Sequence, residues 1–364
     1  MTAVLDWFRS RFREQANHFL YVPIPSGRVT YTDGRKADDT ALQSGNHYFK
    51  LWLVQMFLKN DRDWFASWHP AVHSAITFDF GTTSQVLTNV TSPSNLKDLK
   101  AGDLDKFITL NQPLTSLLPF NGGTVTLDAG LLAMQGTSDV RDLIKAIGSV
   151  AGLLAVPQLS GAMAVAGPLA ETVGSLVGVT DGKLMIGINQ TFSTTGGGAE
   201  AVLRAGYFAV LSATTDDYSK DTFSVDADEL KYDGKTLIGV NYLLFRIECR
   251  DARDDWDELA SIRDPYREAL KMLQTGHVPE AEAYLRQSIT ASLSAPELTK
   301  NVDRRRVVTQ LKAQFAQDKV DLGQGAFTRK DDRLSSLMIN AMSTQEAMGK
   351  PVLKEKEAFQ GLTW

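Results

Sequence analysis

Alternation of apolar and polar residues runs through much of the first 250 residues and predicts β-strands. In residues 71–80, AVHSAITFDF, one face would carry Val72, Ser74, Ile76, Phe78 and Phe80. The denser apolar run at 47–58 predicts a buried strand, and the runs at 231–238 and 240–248 predict two further strands. Some eight to ten strands separated by turn sequences predict an antiparallel β-sandwich or distorted barrel.

Residues 146–170, AIGSVAGLLAVPQLSGAMAVAGPLA, carry no charged side chain. Pro157 and Pro168 interrupt the stretch, which disfavours one straight helix. Gly148 and Gly152 are four residues apart, and small residues at this spacing allow two helices to pack closely. Strand-like segments lie on both sides. The pattern therefore predicts a helical hairpin at about 138–178, inserted into the β-rich domain.

The pattern changes to helical after residue 254. Helices are predicted at 264–273, 279–293 and 296–320, with Pro265 and Pro296 at helix starts and Gly276 at a helix end. The segments REALKMLQTG and PEAEAYLRQSI resemble one helix-turn-helix unit of the tetratricopeptide type, at Ala269, Leu270, Gly276, Ala281 and Tyr284. One such unit cannot bury its own apolar face, and the sequence shows no second copy, so no function is carried over from the resemblance.

These patterns predict an α+β fold in four parts. Residues 1–46 form an amphipathic helix and a loop, 47–250 the β-rich domain with its hairpin insertion, and 251–322 a helical domain. The tail, 323–364, contains a short amphipathic helix. Its apolar residues in helical phase are Leu334, Leu337, Met338 and Met342.

Charge and cysteine content narrow the classes of function. The formal net charge is −5, so the overall balance offers no electrostatic attraction to nucleic acid. Cys249 is the only cysteine, which excludes an internal disulfide framework and a multi-cysteine metal cluster and fits a reducing compartment. The first residues lack the basic start, apolar run and cleavage site of a secretory signal. We expect a cytoplasmic protein.

Motifs that hold phosphates, metals or cofactors are incomplete. Asp226-Ala227-Asp228 begins like a calcium loop but lacks the turn glycine and the closing glutamate. His69 and His73 are the best pair of metal ligands, yet on a strand they would lie about 13 Å apart, so only a loop at 69–71 could join them. We expect two packed histidines, and no metal or cofactor.

Two clusters combine charged residues with a tryptophan: Asp61-Arg62-Asp63-Trp64 and Arg253-Asp254-Asp255-Trp256. In each, an arginine–carboxylate pair would fix a strand end while the indole anchors it in the core. We predict this structural role. The alternative is an acid/base pair in a cleft.

Three functions follow as hypotheses. The first is a non-catalytic protein–protein interaction or regulatory module that docks a partner through its helical C-terminal region, with Leu334, Leu337, Met338 and Met342 as contact residues. The second is a membrane-active effector that inserts residues 146–170 after a trigger. The third is a hydrolase with a site near His69, His73 and Asp61.

Overall fold

A computed structural model describes residues 19–59, 62–63, 66–80, 83–91, 108–135, 183–197, 200–214 and 216–323. Across these residues the fold is mixed α+β, with mostly antiparallel sheets followed by three α-helices. The chain divides into two compact units, the first formed by Met1–Ser44 with Phe49–Cys249 and the second by Gly45–Tyr48 with Arg250–Trp364. The helices predicted near the N-terminus, at 138–178 and in the tail lie outside the described residues.

In the described part of the first unit, strands account for most of the regular structure. In chain order they are β1 Leu20–Ile24, β2 Val29–Thr30, β3 Tyr48–Phe57, β4 Arg62–Asp63, β5 Ala66–Phe80, β6 Thr83–Thr91, β7 Ile108–Pro113, β8 Leu118–Pro119, β9 Val125–Gln135, β10 Lys183–Ser193, β11 Ala201–Val202, β12 Gly206–Leu211, β13 Phe223–Asp226, β14 Glu229–Tyr232, β15 Lys235–Thr236 and β16 Tyr242–Arg250.

The strands form three sheets. The first has the order β1-β12-β16-β3-β7, with β8 also paired to β3. The second has the order β11-β10-β9-β5-β4, with β6 also paired to β5, and the third has the order β15-β14-β13-β2. The pairs β10–β11 and β13–β2 are parallel. This topology brings strands distant in sequence, such as β3 and β16, next to each other.

Two apolar clusters use opposite faces of the first sheet. One contains Phe208 and Phe245 of that sheet together with Val72 and Leu131 of the second sheet. Ile76 and Phe78 belong to the same cluster, so the alternation of apolar residues predicted for 71–80 in β5 is confirmed. The other cluster joins the reverse face of the first sheet to the third sheet; its largest fully buried side chains are Phe57, Phe223 and Tyr242. Burying each such side chain contributes about 1.5–3 kcal/mol.

The segment 231–238 is a hairpin, so the prediction of a single strand was wrong. Strands β14 and β15 pair antiparallel on either side of Asp233-Gly234. Both residues of this turn have positive φ, 51° for Asp233 and 70° for Gly234. That conformation is typical of a type I′ turn, for which Asp-Gly is a preferred sequence. The prediction treated the strand-like residues on both sides of Asp233-Gly234 as one continuous strand.

In the second unit, the residues that the structure describes form the α-helices α1 Ala260–Gln274, α2 Val278–Ser294 and α3 Asp303–Gly323. Gly276, at φ 76°, follows the end of α1, as its sequence position predicted. The core of this unit includes Ile262, Ala269, Leu285, Ile289, Leu298 and Leu311. Within the described part of the chain, no helix combines the length and the apolar character needed to cross a membrane.

Two predicted helix starts were wrong. Helix α1 begins at Ala260, so Pro265 lies inside it. Helix α3 begins at Asp303, seven residues after Pro296. The reason at α3 is local capping: the backbone N–H of Asp303 donates to Thr299 Oγ1 at 3.1 Å. A threonine hydroxyl satisfies a donor that the first helical turn leaves without a partner.

Candidate functional site

The turn between β13 and β14 is held in a strained conformation. Asp226 and Glu229 pair across it, and the two residues between them, Ala227 and Asp228, have φ of 49° and 65°. Glycine or asparagine usually takes such positions, because a Cβ in the left-handed region costs roughly 1–2 kcal/mol. The N–H of Ala227 donates to the carbonyl of Thr30 at 2.9 Å, which helps to fix the turn.

Asn111 brings a third non-glycine residue with positive φ to the same place. Its φ is 45°, and it lies where β7 carries one extra residue opposite β3. Its Nδ2 donates to Asp228 Oδ2 at 3.2 Å. Among the described residues, three of the four non-glycine positions with positive φ thus meet around one carboxylate. Backbone strain of this kind persists where the surroundings hold it and is concentrated at functional sites.

The carboxylate of Asp228 orients a tyrosine and an arginine. Tyr207 Oη donates to Asp228 Oδ1 at 2.5 Å, and Arg246 Nη1 lies 3.7 Å from the same oxygen. Burial, together with the bond to Asp228, raises the pKa of the Tyr207 phenol, so the hydroxyl stays a donor. Burial acts to lower the pKa of Arg246, but contacts with Tyr207 and Asp228 outweigh it and raise that pKa.

Aromatic rings flank the Arg246 guanidinium. Its central carbon lies 4.9 Å from the centre of the Trp52 ring and 5.8 Å from that of Tyr207. Lys50 Nζ lies 4.2 Å from the centre of the Trp52 ring, and Trp52 Nε1 donates to Glu248 Oε2 at 2.8 Å. Each cation–π contact contributes about 0.5–1 kcal/mol at a partly exposed site. The indole is therefore held in place from several directions.

Tyr31 completes this group, with its ring centre 6.2 Å from that of Tyr207. Arg35 lies over the Tyr31 ring at 4.2 Å. Tyr31, Lys50, Trp52, Asp228 and Arg246 are all partly exposed, whereas Tyr207 is buried beneath them. We name this group the aromatic–arginine patch; its members are Tyr31, Lys50, Trp52, Tyr207, Asp228 and Arg246.

The patch is suited to binding. It contains no serine, cysteine or histidine, so it lacks the usual nucleophile and base of acyl transfer. Its carboxylate already accepts hydrogen bonds from Tyr207 and Asn111. What it offers to solvent is ring surface, the cations Lys50 and Arg246, and part of the Asp228 carboxylate.

His69 and His73 lie on one continuous strand, β5. Their backbones pair with Met134 and Gly130, and Pro70 and Ala71 between them pair as strand residues too, so there is no loop at 69–71. The two positions are therefore about 13 Å apart along the strand. The His73 side chain is buried, and burial lowers its pKa to about 4. Asp61 and the side chain of His69 lie outside the described residues.

The second charged cluster makes structural contacts. Arg253 is 3% exposed and binds Asp255 with two hydrogen bonds, Nε to Oδ1 at 2.6 Å and Nη2 to Oδ2 at 3.0 Å. Trp256 packs against the core of the second unit. These contacts match the predicted anchoring role. In the first cluster, the side chains of 61–64 are outside the described residues.

The sequence predicted none of the patch residues, and the predicted partner contacts Leu334, Leu337, Met338 and Met342 lie outside the described part of the chain. In the sequence, Asp226-Ala227-Asp228 resembles only an incomplete calcium loop. Positive φ at Ala227 has no sequence signal, since that position usually carries glycine or asparagine. The patch also brings together residues that lie far apart in the sequence of the first unit, from Tyr31 to Arg246. Local sequence pattern does not show which distant strands pair.

Comparison with known proteins gives no relative. No protein-family model matches the chain, and neither a curated protein nor a solved structure matches it. The interpretation of the patch therefore depends on its own contacts.

Proposed function

We propose that the chain is a non-catalytic protein–protein interaction module and that its partner binds at the aromatic–arginine patch. The observation that carries the proposal is the convergence of three non-glycine residues with positive φ, Asn111, Ala227 and Asp228, around the carboxylate that orients Tyr207 and Arg246. Ala227 is the strained one of the three, because alanine rarely adopts this conformation. Strain of this size is retained where a fixed side-chain arrangement serves a purpose.

The composition of the patch supports this proposal. Tryptophan, tyrosine and arginine are the residue types that dominate the energetics of protein interfaces. Trp52 and Arg246 are already positioned by Glu248 and Asp228, so a partner would meet side chains that have lost part of their rotamer freedom. Pre-organisation of this kind reduces the entropy cost of association.

The charges of the patch define the partner's chemistry. Lys50 and Arg246 lie over or beside the Trp52 ring, and Arg35 extends the cationic edge at Tyr31. A complementary surface would place a flat apolar group on the indole and would direct carboxylate or carbonyl oxygens at the cations. We therefore propose a partner segment that combines acidic and apolar residues.

Finer features of the architecture are part of the proposal. We propose that the first two sheets form a β-sandwich and that a helical hairpin at 138–178 is inserted between β9 and β10. The helical C-terminal region is a second proposed docking surface, through Leu334, Leu337, Met338 and Met342. A cytoplasmic location remains a proposal, in line with the single cysteine.

A quantitative pull-down from native lysate tests the patch. Trp52→Ala should reduce recovery of the partner at least tenfold, since truncating a central interface tryptophan typically costs 2 kcal/mol or more, at about 1.4 kcal/mol per tenfold. Ile238→Ala is the matched control, because Ile238 is a large apolar side chain with 66% exposure outside the patch. Recovery should equal that of the unchanged protein.

A second variant separates the two docking surfaces. Replacing Leu334, Leu337, Met338 and Met342 together by alanine should leave recovery unchanged if the patch carries binding. Loss of the partner with this variant, and not with Trp52→Ala, would place the docking surface in the tail. Recovery of the protein alone, as a monomer, would contradict both forms of the proposal.

A further inference from the structure

The second sheet is buried on both faces where β5 pairs with β9. One face contributes Val72 and Leu131 to the core shared with the first sheet. Successive residues of a strand point to opposite faces, so the neighbouring residues point away from that core. We call these residues the outer face; they are Ala71, His73, Ala75, Asp128 and Leu132. None of them is more than 3% exposed.

Burial of this face changes along the strands. Ala71 and Leu132 pair at one end and are buried, whereas Thr77 is only partly buried and Asp79, further along β5, is exposed. The cover therefore lies over the end of the sheet that contains Ala71 and Leu132. That end is where β5 begins and β9 finishes.

One connection leaves the sheet and returns to it at this end. Gln135, the last residue of β9, pairs with Trp68 of β5, and Lys183, the first residue of β10, pairs with Ala133. Residues 136–182 join these two points. They include the stretch 146–170, which carries no charge.

A competing connection starts nearby but has a different composition. Residues 92–107 follow β6, whose last residue, Thr91, pairs with Val72. That segment contains three lysines and three aspartates, namely Lys97, Asp98, Lys100, Asp103, Asp105 and Lys106. Charged side chains placed over Ala71 and Leu132 would lose hydration without gaining partners there, whereas an uncharged segment would not. The carboxylate of this face, Asp128, already accepts a hydrogen bond from Asn189 Nδ2.

We propose that residues 146–170 dock on the outer face, over Ala71, Ala75 and Leu132. Alanines on the sheet, with Gly130 between them, allow a glycine- and alanine-rich segment to approach closely. The proposal is independent of the aromatic–arginine patch. Its consequence is that the most apolar stretch of the chain is sheltered by the sheet, so any contact with a membrane requires it to leave this face.

Thiol reactivity in the full-length chain tests the docking. In a Cys249→Ala background, Ala75→Cys should react with a maleimide at least tenfold more slowly than Thr77→Cys. Replacing residues 136–182 by a short glycine–serine linker should abolish most of that difference. Persistent protection at position 75 in a folded linker variant would overturn the proposal, because another part of the chain or a second copy would be the cover.

A cross-linking measurement covers the case in which the linker variant does not fold. A benzophenone maleimide attached to Thr77→Cys lies at the margin of the outer face in the otherwise intact chain. After irradiation, peptide mapping should find cross-links to residues 146–170 within the same molecule. Dominant cross-links to 1–18, 92–107, 324–364 or a second copy would overturn the proposal.

Discussion

Asp228 in the first unit and Asp303 in the second have similar partners and different surroundings. Each accepts a hydrogen bond from a tyrosine hydroxyl, Tyr207 at 2.5 Å and Tyr48 at 2.6 Å. Each also lies beside an arginine, with Arg246 3.7 Å from Asp228 and Arg306 2.5 Å from Asp303. The Asp228 side chain is 26% exposed, whereas that of Asp303 is fully buried.

The groups around Asp303 bond mainly to one another. Its Oδ2 also accepts the N–H of Arg253, and Tyr48 Oη accepts the N–H of Thr299. These bonds fix the start of α3, where a carboxylate is also favoured by the helix dipole. The groups around Asp228 instead lie beside the partly exposed Trp52 ring. The comparison teaches that a Tyr–Asp–Arg group fixes a helix start when its members bond mainly to one another. We propose that the same kind of group serves recognition where its aromatic side faces solvent.

Removing the buried Asp303 carboxylate should have the largest effect on stability. We expect Asp303→Ala to destabilise the second unit by about 3–5 kcal/mol, because Arg306, Tyr48 and the Arg253 N–H lose a buried acceptor together. Hydrogen exchange measured by mass spectrometry should show faster exchange in peptides from α1 and α3, and unchanged exchange in β12.

Asp228→Ala is the matched control for that variant. Its carboxylate is partly exposed, so we expect a loss of only about 1–2 kcal/mol, together with loss of partner binding. Equal destabilisation by the two substitutions would contradict the contrast between Asp303 and Asp228, since both carboxylates would then have a structural role.

His73 is a buried titratable residue of a different kind, because burial keeps its imidazole neutral. Its pKa is about 4 in the folded chain and 6.5 in the unfolded chain. Between these values the unfolded state binds the extra proton, so stability is fully present above pH 6.5 and is lost as the pH falls towards 4. The loss is at most about 3 kcal/mol.

Urea unfolding at several pH values measures this effect. His73→Leu should flatten the decline of stability between pH 6.5 and 4 relative to the unchanged protein. His277→Gln is the control, because His277 is exposed, and it should keep the decline. An unchanged decline in His73→Leu would show that other groups cause it.

Local pattern in the sequence was sufficient for the mixed α+β class and for most of the described strands and helices. Alternation at 71–80 gave the face of β5 that enters the core, and Gly276 marked the end of α1. Local pattern was less reliable at boundaries. The start of α3 depends on Thr299 and Asp303, whose capping geometry the proline at 296 concealed.

The site was not predictable in the same way. Trp52, Asp228 and Arg246 lie far apart in sequence and meet only through the pairing of β3 with β16 and of β13 with β14. The feature that marks the site, the positive φ of Ala227, is a property of backbone angles that residue type does not reveal.

The smallest expected effect tests that strain itself. Ala227→Gly should stabilise the chain by about 1 kcal/mol, because glycine adopts φ 49° without steric cost, although it also adds freedom to the unfolded chain. Gly234→Ala, at the turn between β14 and β15, is the control that makes the opposite change. Its φ is 70°, and an added Cβ would meet nothing within 4 Å, so strain alone should destabilise it by about 1 kcal/mol.

Both variants can be compared in one urea titration. Ala227→Gly should keep partner binding, because Asp228 retains its bonds to Tyr207 and Asn111. If Ala227→Gly instead lowered binding while raising stability, the strained turn would itself be part of the binding surface. Asp228 would then differ from Asp303 in two respects. Asp228 lies in a strained turn whereas Asp303 lies at a helix start, and Asp228 is the more exposed of the two.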